Sequence, residues 1–348
     1  QALLSAKDYT KPVILTGPSE SQKAHICYAL CAHSGHKGIY VAFNEMQARK
    51  LYEDFAFFLG EQALFFPTKE VMLYDVEAKS NDAIYQRLKV LDRVLRGEYS
   101  VIVTSIEAVS HKLIDPAIFK RNTIEITYDS RIDIEKLINT LISIGYERVQ
   151  TVERRGQFAV RGGIADIFSV DAENAVRIEL FDDEIDSIRT FDINTQRSVG
   201  KAERVCIIPA RDIIYELSKK DEIKKTIEGE LKSHKKNHAL VNKINSDIEK
   251  FKEDSYFPGI DRYIPYIADI PFTLLDYVTD GNTLIFADEP ARQKQRTDNL
   301  LLEHEETCKS LIEKAQLLPR STGMFFSYEE IDSKFQTKKL FYLSTINI

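Results

Sequence analysis

The chain has 348 residues, of which 43% are hydrophobic and 29% are charged, and its formal net charge at pH 7 is −7. This composition predicts a folded protein of two or three domains and excludes an intrinsically disordered chain. This negative net charge excludes nucleic-acid binding by the protein surface as a whole, because such binding needs clustered Lys and Arg side chains.

Cysteines and apolar runs limit the compartment in which the chain works. The four cysteines, at positions 27, 31, 206 and 308, form neither a zinc-ligand pattern nor a disulfide framework, so we expect buried, reduced thiols in a cytoplasmic protein. No apolar run reaches the roughly 20 residues that span a bilayer. Residues 1–9 lack the features of a signal peptide. We expect a monomer cut from a longer protein, because no initiator Met is present and the last residues look like an interrupted strand.

Strands and helices alternate along the first third of the chain. Apolar runs predict strands at 12–16, 38–43, 64–67 and 100–104. Helices are predicted between them, from about residue 20 to Gly35, from Glu45 to Leu59 behind an Asn44 cap with Phe58 on the apolar face, from Asn81 to Leu95, and from a Ser105 cap to His111. This alternation indicates a parallel α/β sheet, which we assign to a domain at residues 1–121.

The first strand leads into a degenerate phosphate-binding loop. A working loop follows the pattern GxxxxGK[ST], in which the second Gly lets backbone N–H groups wrap the phosphates and the hydroxyl residue binds magnesium. Gly17 and Lys23 stand at the required spacing, but Gln22 replaces the second Gly and Ala24 replaces the hydroxyl residue. We expect the shape of the loop without nucleotide hydrolysis, and neither a metal ion nor a cofactor in this chain.

A second partial match lies near residue 288. Residues 283–287 are an apolar run that ends in Asp288-Glu289, like the acidic motif that holds magnesium in ATPases. Without a working phosphate loop, we interpret this acidic pair as a solvated strand end. The alternative is an ATP-hydrolysing, helicase-like enzyme that acts on DNA through Gly17, Lys23 and Asp288, and the missing hydroxyl group after Lys23 argues against it.

The pattern becomes antiparallel after residue 116. The sequence predicts a half-buried strand at 123–128, a helix from 134 that ends near Gly145, and strands at 157–161, 164–170, 176–181 and 184–191. Turns are expected at Gly162-Gly163 and Asp182-Asp183. We therefore predict an α+β domain at 122–208, inserted between two α/β halves.

The last third of the chain is charged and mainly helical. Residues 214–251 predict a solvated helix with i,i+4 ion pairs rather than a nucleic-acid patch, because acids offset the lysines. Residues 256–266 predict an ordered loop on the core. A strand at 284–288, a helix at 290–316 and a terminal α/β fragment complete a third domain at 209–348.

Several segments resemble a known family. The run from Tyr146 through RGGIADIFSV to INTQRS at 193–198 is similar to domain 2 of the repair protein UvrB and, more closely, to the N-terminal region of Mfd, the bacterial transcription-repair coupling factor family. FPTKEVMLYD at 66–75 and FPGIDRYIPY at 257–266 resemble the same region. The resemblance implies domains 1A, 2 and 1B: a degenerate P-loop, RecA-like parallel sheet in the 1A and 1B portions, and an inserted α+β domain 2 with an antiparallel sheet.

The resemblance also implies a recruiting role. In this family domain 2 binds UvrA, the damage-recognition ATPase, and the C-terminal domain masks that surface until RNA polymerase is engaged. The motor that moves on double-stranded DNA with ATP and Mg, and the domain that binds RNA polymerase, lie downstream and are expected to be absent here. The segment around 69–81 is too short for the damage-probing hairpin of UvrB.

Arginines are expected to form the contact with UvrA. Matching the UvrB motif residue by residue gives Arg148, Arg161, Phe158, Arg155 and Arg154 as the UvrA-binding residues. A third UvrB contact arginine falls on Ala159, which lowers the expected affinity. Alternation along 157–161 places Phe158 on the core face and Arg161 on the opposite face. The residues alone leave open that these arginines pair internally with nearby acids such as Asp182 and Asp183.

Overall fold

Two six-stranded sheets organise the molecule. The computed structural model describes residues 11–71, 73, 81–214, 219–252, 259–267, 271–279 and 281–345. The predictions for residues 1–9 and 256–258 lie outside the described residues. So does most of the prediction for the segment around 69–81, of which residues 72 and 74–80 are not described. Among the helices that are described, none is both long and apolar enough to cross a membrane.

The secondary structure follows the predicted order. The strands are β1 (Val13–Thr16), β2 (Lys37–Ala42), β3 (Ala63–Phe66), β4 (Val101–Ser105), β5 (Ile124–Thr127), β6 (Glu147–Arg148), β7 (Gln157–Arg161), β8 (Ile164–Ile167), β9 (Ala175–Phe181), β10 (Glu184–Phe191), β11 (Ser198–Lys201), β12 (Arg204–Ile207), β13 (Thr283–Asp288) and β14 (Lys339–Ser344). The helices are α1 (Glu20–Ser34), α2 (Glu45–Leu59), α3 (Asp82–Leu95), α4 (Ile106–Ser110), α5 (Pro116–Arg121), α6 (Ile134–Ser143), α7 (Lys220–Leu231), α8 (His238–Lys252), α9 (Ile264–Ile267), α10 (Leu274–Tyr277), α11 (Pro290–Glu313) and α12 (Tyr328–Gln336).

The first sheet is parallel throughout, with the strand order β1-β14-β13-β2-β4-β3. Its central strands are apolar and buried because separate hydrophobic clusters cover the two faces of the sheet. β13 and β14 come from the third predicted domain and lie beside strands of the first. The predicted parallel α/β fold is confirmed, and the two expected α/β halves share one sheet.

Helix α2 shows how local signals set the bounds of an element. The Asn44 side chain accepts a hydrogen bond of 2.8 Å from the backbone N–H of Gln47, which caps the first turn as predicted. Leu51 and Phe55 are buried against the sheet. Phe58, predicted on the same apolar face, is 37% exposed and stacks on Tyr28 with ring centroids 5.0 Å apart, so it lies at the margin of the core.

The second sheet has the order β11-β10-β9-β8-β7-β6 and is antiparallel except for the β6–β7 pair. Helix α6 packs on one side of it, and Leu141 and Phe158 belong to the same buried cluster. Glycine is required at the β7–β8 turn: Gly162 has φ of 59°, and a Cβ on Gly163 would lie 2.7 Å from the carbonyl oxygen of Leu180. This sheet and α6 confirm the predicted α+β insert.

The charged segment after residue 214 forms two helices rather than the single one predicted. The helix is interrupted between α7 and α8. The Asn237 side chain accepts a hydrogen bond of 3.3 Å from the N–H of Leu240, which caps α8. The predicted i,i+4 pairs are present: Lys224 lies 3.7 Å from Glu228, and Lys243 lies 3.2 Å from Asp247.

A buried ion network joins three distant segments of the chain. The Lys69 ammonium lies 2.7 Å from the Asp212 carboxylate and 3.0 Å from the Asp261 carboxylate, and its side chain is 3% exposed. Arg87 stacks 4.1 Å from the centre of the Phe66 ring beside it. Burial alone would lower the pKa of Lys69, but the two carboxylates outweigh it and raise the pKa. The network therefore links the end of β3 to the segments that follow β12 and α8.

Candidate functional site

One side of the second sheet carries Arg161, the exposed candidate binding residue of strand β7. It is the side away from α6, and strand register places its members in rows across neighbouring strands, since paired residues point the same way. We call this side of the sheet the outer face; its exposed or half-exposed members are Arg161, Ile164, Arg177, Glu179, Phe181 and Arg189, whereas Ala159, Asp166 and Ser187 on the same side are buried.

Arg161 is the most exposed of the three arginines on the outer face. Its Nη2 donates a hydrogen bond of 3.2 Å to Asp166 Oδ2, while 58% of its side chain remains exposed. Arg177 binds both oxygens of the same carboxylate, at 2.6 and 2.8 Å, and Asp166 is only 2% exposed. Asp166 thus orients Arg161 through one long bond and leaves most of its planar donor fork open to a partner.

Arg148 lies at the edge of the sheet on the exposed strand β6. Within the described part of the chain it has neither a hydrogen bond nor an ion pair. Its register partner is Phe158, whose side chain points toward α6, so alternation places Arg148 and Arg161 on opposite sides of the sheet. One partner touches both only by wrapping around the edge strand.

Arg154 and Arg155 have internal partners. Arg154 donates 2.9 Å to Glu147, which also accepts 3.0 Å from Gln157. The Nε atom of Arg155 donates 2.9 Å to the backbone oxygen of Ala172. The internal pairing that the sequence left open therefore occurs for Arg154, with Glu147, and for Arg161, with Asp166, but not with the acids of the β9–β10 turn.

Phe158 is fully buried and packs in the cluster beneath the sheet. A side chain in this position does not reach a partner, so the expectation that Phe158 contacts UvrA is wrong for this conformation. Its core position agrees with the alternation along β7. Among the acids named as alternative partners, Asp183 pairs instead with Arg131, at 2.8 Å.

The segment at residues 17–24, for which the sequence predicts a degenerate phosphate loop, contains a lysine that is buried among carboxylates. Lys23 is 0% exposed, and its Nζ lies 2.6 Å from Asp288, 2.9 Å from Glu20 and 3.0 Å from Glu289. The interpretation of Asp288 as a solvated strand end is wrong, because its side chain is also 0% exposed. A local pattern did not reveal a pairing between residues 265 positions apart.

The other loop residues take structural roles. Gly17 has φ of 91° and donates its N–H to Ser344 at 2.9 Å. Gln22 accepts a hydrogen bond of 2.9 Å from the N–H of Ser19 and so caps α1. Ala24 is buried in the core. The loop backbone is thus tied to β14 and α1 rather than arranged around an anion.

Burial and charge act in opposite directions within this cluster. Burial alone would lower the pKa of Lys23, but the hydrogen bond and charge of Asp288 reverse the effect and raise it. Burial raises the pKa of Asp288 to about 6, although Lys23 opposes the shift. Glu289, at φ of 51°, also accepts 2.7 Å bonds from the backbone and hydroxyl of Thr345. The ammonium that would hold a phosphate is therefore already neutralised by carboxylates.

The cysteines are free thiols, as expected. Cys27, Cys31 and Cys308 are buried and Cys206 is half-buried. Burial raises the pKa of the Cys31 thiol to about 12, which keeps it protonated and unreactive.

Sequence reasoning missed two kinds of residue on the outer face. Asp166 holds the arginines, and Ile164 and Phe181 are exposed apolar side chains at 38% and 79%. The period-two alternation of β8 and β9 was the available signal, because it places all three on the same side as Arg161.

Known proteins are similar in sequence to this chain over nearly its full length. A family model described as the UvrB interaction domain matches residues 124–213, the segment that forms the second sheet and α6. Transcription-repair-coupling factors are 30% identical over 340 residues in Bacillus subtilis, 28% over 342 residues in Staphylococcus aureus strain bovine RF122 / ET3-1, and 27% over 342 residues in strain Mu50. Each match covers 95% of this chain and 29% of the relative, so the chain spans less than a third of these relatives.

Proposed function

We propose that this chain recruits the nucleotide-excision-repair protein UvrA to RNA polymerase stalled at DNA lesions. The support is its similarity over 95% of its length to transcription-repair-coupling factors and its match to the UvrB interaction domain at residues 124–213. The binding surface is the outer face around Arg161, at the end of β7, and it continues around the edge strand β6 to Arg148 on the other side of the sheet. It lies in residues 122–208, which we propose as domain 2, between portions 1A at 1–121 and 1B at 209–348.

The observation that carries this proposal is the state of Arg161. A guanidinium that is oriented by a buried carboxylate and remains 58% exposed is prepared to bind a carboxylate on another protein. The residue lies inside the segment that matches the UvrB interaction domain. Arg154 and Arg155 are proposed as peripheral contacts. Their internal hydrogen bonds reduce the number of donors that they can direct to a partner.

Calorimetric titration of this chain with purified UvrA tests the proposal. Arg161→Ala is expected to weaken binding about thirtyfold, because truncating a central interface arginine costs about 2 kcal/mol. Arg148→Ala is expected to have a smaller effect. The matched control is Arg204→Ala, an arginine 59% exposed and paired with Glu125 on the small β5–β12 sheet. Unchanged affinity in both Arg161→Ala and Arg148→Ala, with unchanged melting temperatures, contradicts the proposed surface.

The wider role is proposed from the relatives. In a longer protein, downstream domains would contact RNA polymerase and move on double-stranded DNA with ATP and Mg. A C-terminal domain would mask the outer face until polymerase is engaged, so that this chain takes part in autoinhibition. The proposed place of action is the bacterial cytoplasm. The name of the relatives, transcription-repair-coupling factor, supports a link between transcription and repair.

We propose further that residues 1–348 hydrolyse no ATP. The support is the surroundings of Lys23. Its ammonium lies among the carboxylates of Asp288, Glu20 and Glu289, and the three carboxylates outnumber the single cation, so the cluster repels a phosphate. Titration with MgATP is expected to give no saturable heat up to about 1 mM, a concentration near the highest KM values that are usual for enzymes. Saturable binding at micromolar ATP would favour the alternative, a DNA-acting ATPase that uses Gly17, Lys23 and Asp288.

A further inference from the structure

The outer face ends in an aromatic side chain that the fold does not use. Phe181, the last residue of β9, is 79% exposed. The alternate residues of the same strand, Ile178 and Leu180, point to the other side and pack on the core. Phe181 therefore adds little to folding, whereas an exposed ring of this size is a large apolar area available for a contact.

Phe181 belongs to a patch with Ile164 and Arg161. Ile164 on β8 is in register with Glu179 on β9, two residues before Phe181 on the same side, and with Arg161 on β7. Such diagonal neighbours are about 7–8 Å apart, within reach of an aromatic side chain. The Leu180 N–H donates 2.7 Å to the oxygen of Gly163, which keeps the β7–β8 turn against the end of β9. One strongly exposed ring, one half-exposed aliphatic chain and one oriented arginine thus adjoin each other.

The backbone that carries Phe181 is fixed. Asp182 takes φ of 60° in the turn that follows. The neighbouring segment pairs with the far side of this turn: the N–H of Ile132 donates 2.8 Å to the carbonyl oxygen of Asp183, and Arg131 forms a β-bridge with Glu184. Because the turn is held, Phe181 is presented in one place and loses little backbone freedom on binding.

We propose that Phe181 is an apolar anchor of the surface that binds UvrA, inserted into an apolar pocket whose rim supplies a carboxylate to Arg161. This inference rests on the proposed function and adds to it a residue that determines affinity. The choice of UvrA as occupant follows from the continuity of Phe181 with Arg161 across β8. It also follows from chemistry, since an aromatic ring beside an arginine is the usual composition of the centre of a protein interface.

The test is calorimetric titration of the full chain with UvrA, using one matched pair of variants. Phe181→Ala is expected to weaken binding at least tenfold, and Phe181→Leu less, because Leu keeps part of the apolar contact. Phe57→Ala is the control: Phe57 is 86% exposed on α2, beside the first sheet, and its removal is expected to leave the affinity unchanged. Melting temperatures of all three variants are expected to match the wild type, because both rings are in solvent.

The outcomes separate this inference from the function on which it rests. If Arg161→Ala weakens binding while Phe181→Ala does not, the anchor is overturned and the proposed function stands. Equal losses in Phe181→Ala and Phe57→Ala also overturn it, because the effect is then not specific to the outer face. Absence of binding by the wild-type chain overturns both.

Discussion

Replacement of Lys69 by Met is expected to lower the free energy of unfolding by about 3–5 kcal/mol. The substitution keeps the length of the side chain but leaves the carboxylates of Asp212 and Asp261, which are 11% and 8% exposed, without their shared cation. Such carboxylates have lost most of their hydration, and the nearby Arg87 does not donate to either of them in the folded chain. Denaturant unfolding measures the effect directly.

Two comparisons decide whether charge is the cause. Lys50→Met, on the exposed surface of α2, is expected to change stability by less than about 0.5 kcal/mol. The triple variant Lys69→Met, Asp212→Asn, Asp261→Asn removes the negative charges that Lys69 balanced and is expected to recover part of the loss. A Lys69→Met chain as stable as the wild type would contradict the role assigned to this network in joining the three segments.

Replacement of Lys23 by Met is the second large effect, with an expected loss of about 3 kcal/mol. It leaves Asp288, at 0% exposure, next to Glu20 and Glu289 with no cation among them. Adding Asp288→Leu is expected to restore most of the loss, because the deepest carboxylate then disappears. Affinity for UvrA is expected to stay unchanged, since the cluster belongs to the first sheet.

The loss caused by Lys23→Met should depend on pH in a defined direction. The pKa of Asp288 is raised to about 6 in the folded chain even with Lys23 present, against about 3.9 when unfolded, and removing the cation raises it further. The folded state then binds the proton more tightly, so stability is gained at low pH and lost as pH rises through the folded pKa. The loss is therefore expected to be larger at pH 8 than at pH 5. An equal loss at both pH values would mean that packing, rather than charge, is what Lys23 supplies.

Local signals predicted most elements of the fold. Asn44 and Ser105 cap the helices that the sequence assigns to them, and the turn residues at Gly162 separate β7 from β8 where expected. These features depend on residues within a few positions of each other, so a single sequence contains them. The Asn237 cap that divides α7 from α8 is equally local, but the run of lysines and acids around it is typical of one continuous solvated helix.

Pairings between distant residues could not be predicted in the same way. The sequence around Asp288 predicts a solvated carboxylate because it does not show the ion pair with Lys23. The pairing of β13 with β2 likewise joins strands that are far apart in the chain. At the candidate site, the family motif located Arg161 but also included Phe158, which the fold buries. Phe181 carries no motif, and its importance follows only from the side of β9 on which it lies.

Hydrogen exchange of this chain with and without UvrA tests the central claim most directly, because it locates the contact without any substitution. The account predicts slower exchange on addition of UvrA in the turns at 162–163 and 182–183 and along the edge strand β6, with no change in α1 and α2 around the phosphate loop. Protection confined to the first sheet or to α7 and α8, with the turns of the second sheet unchanged, would contradict it.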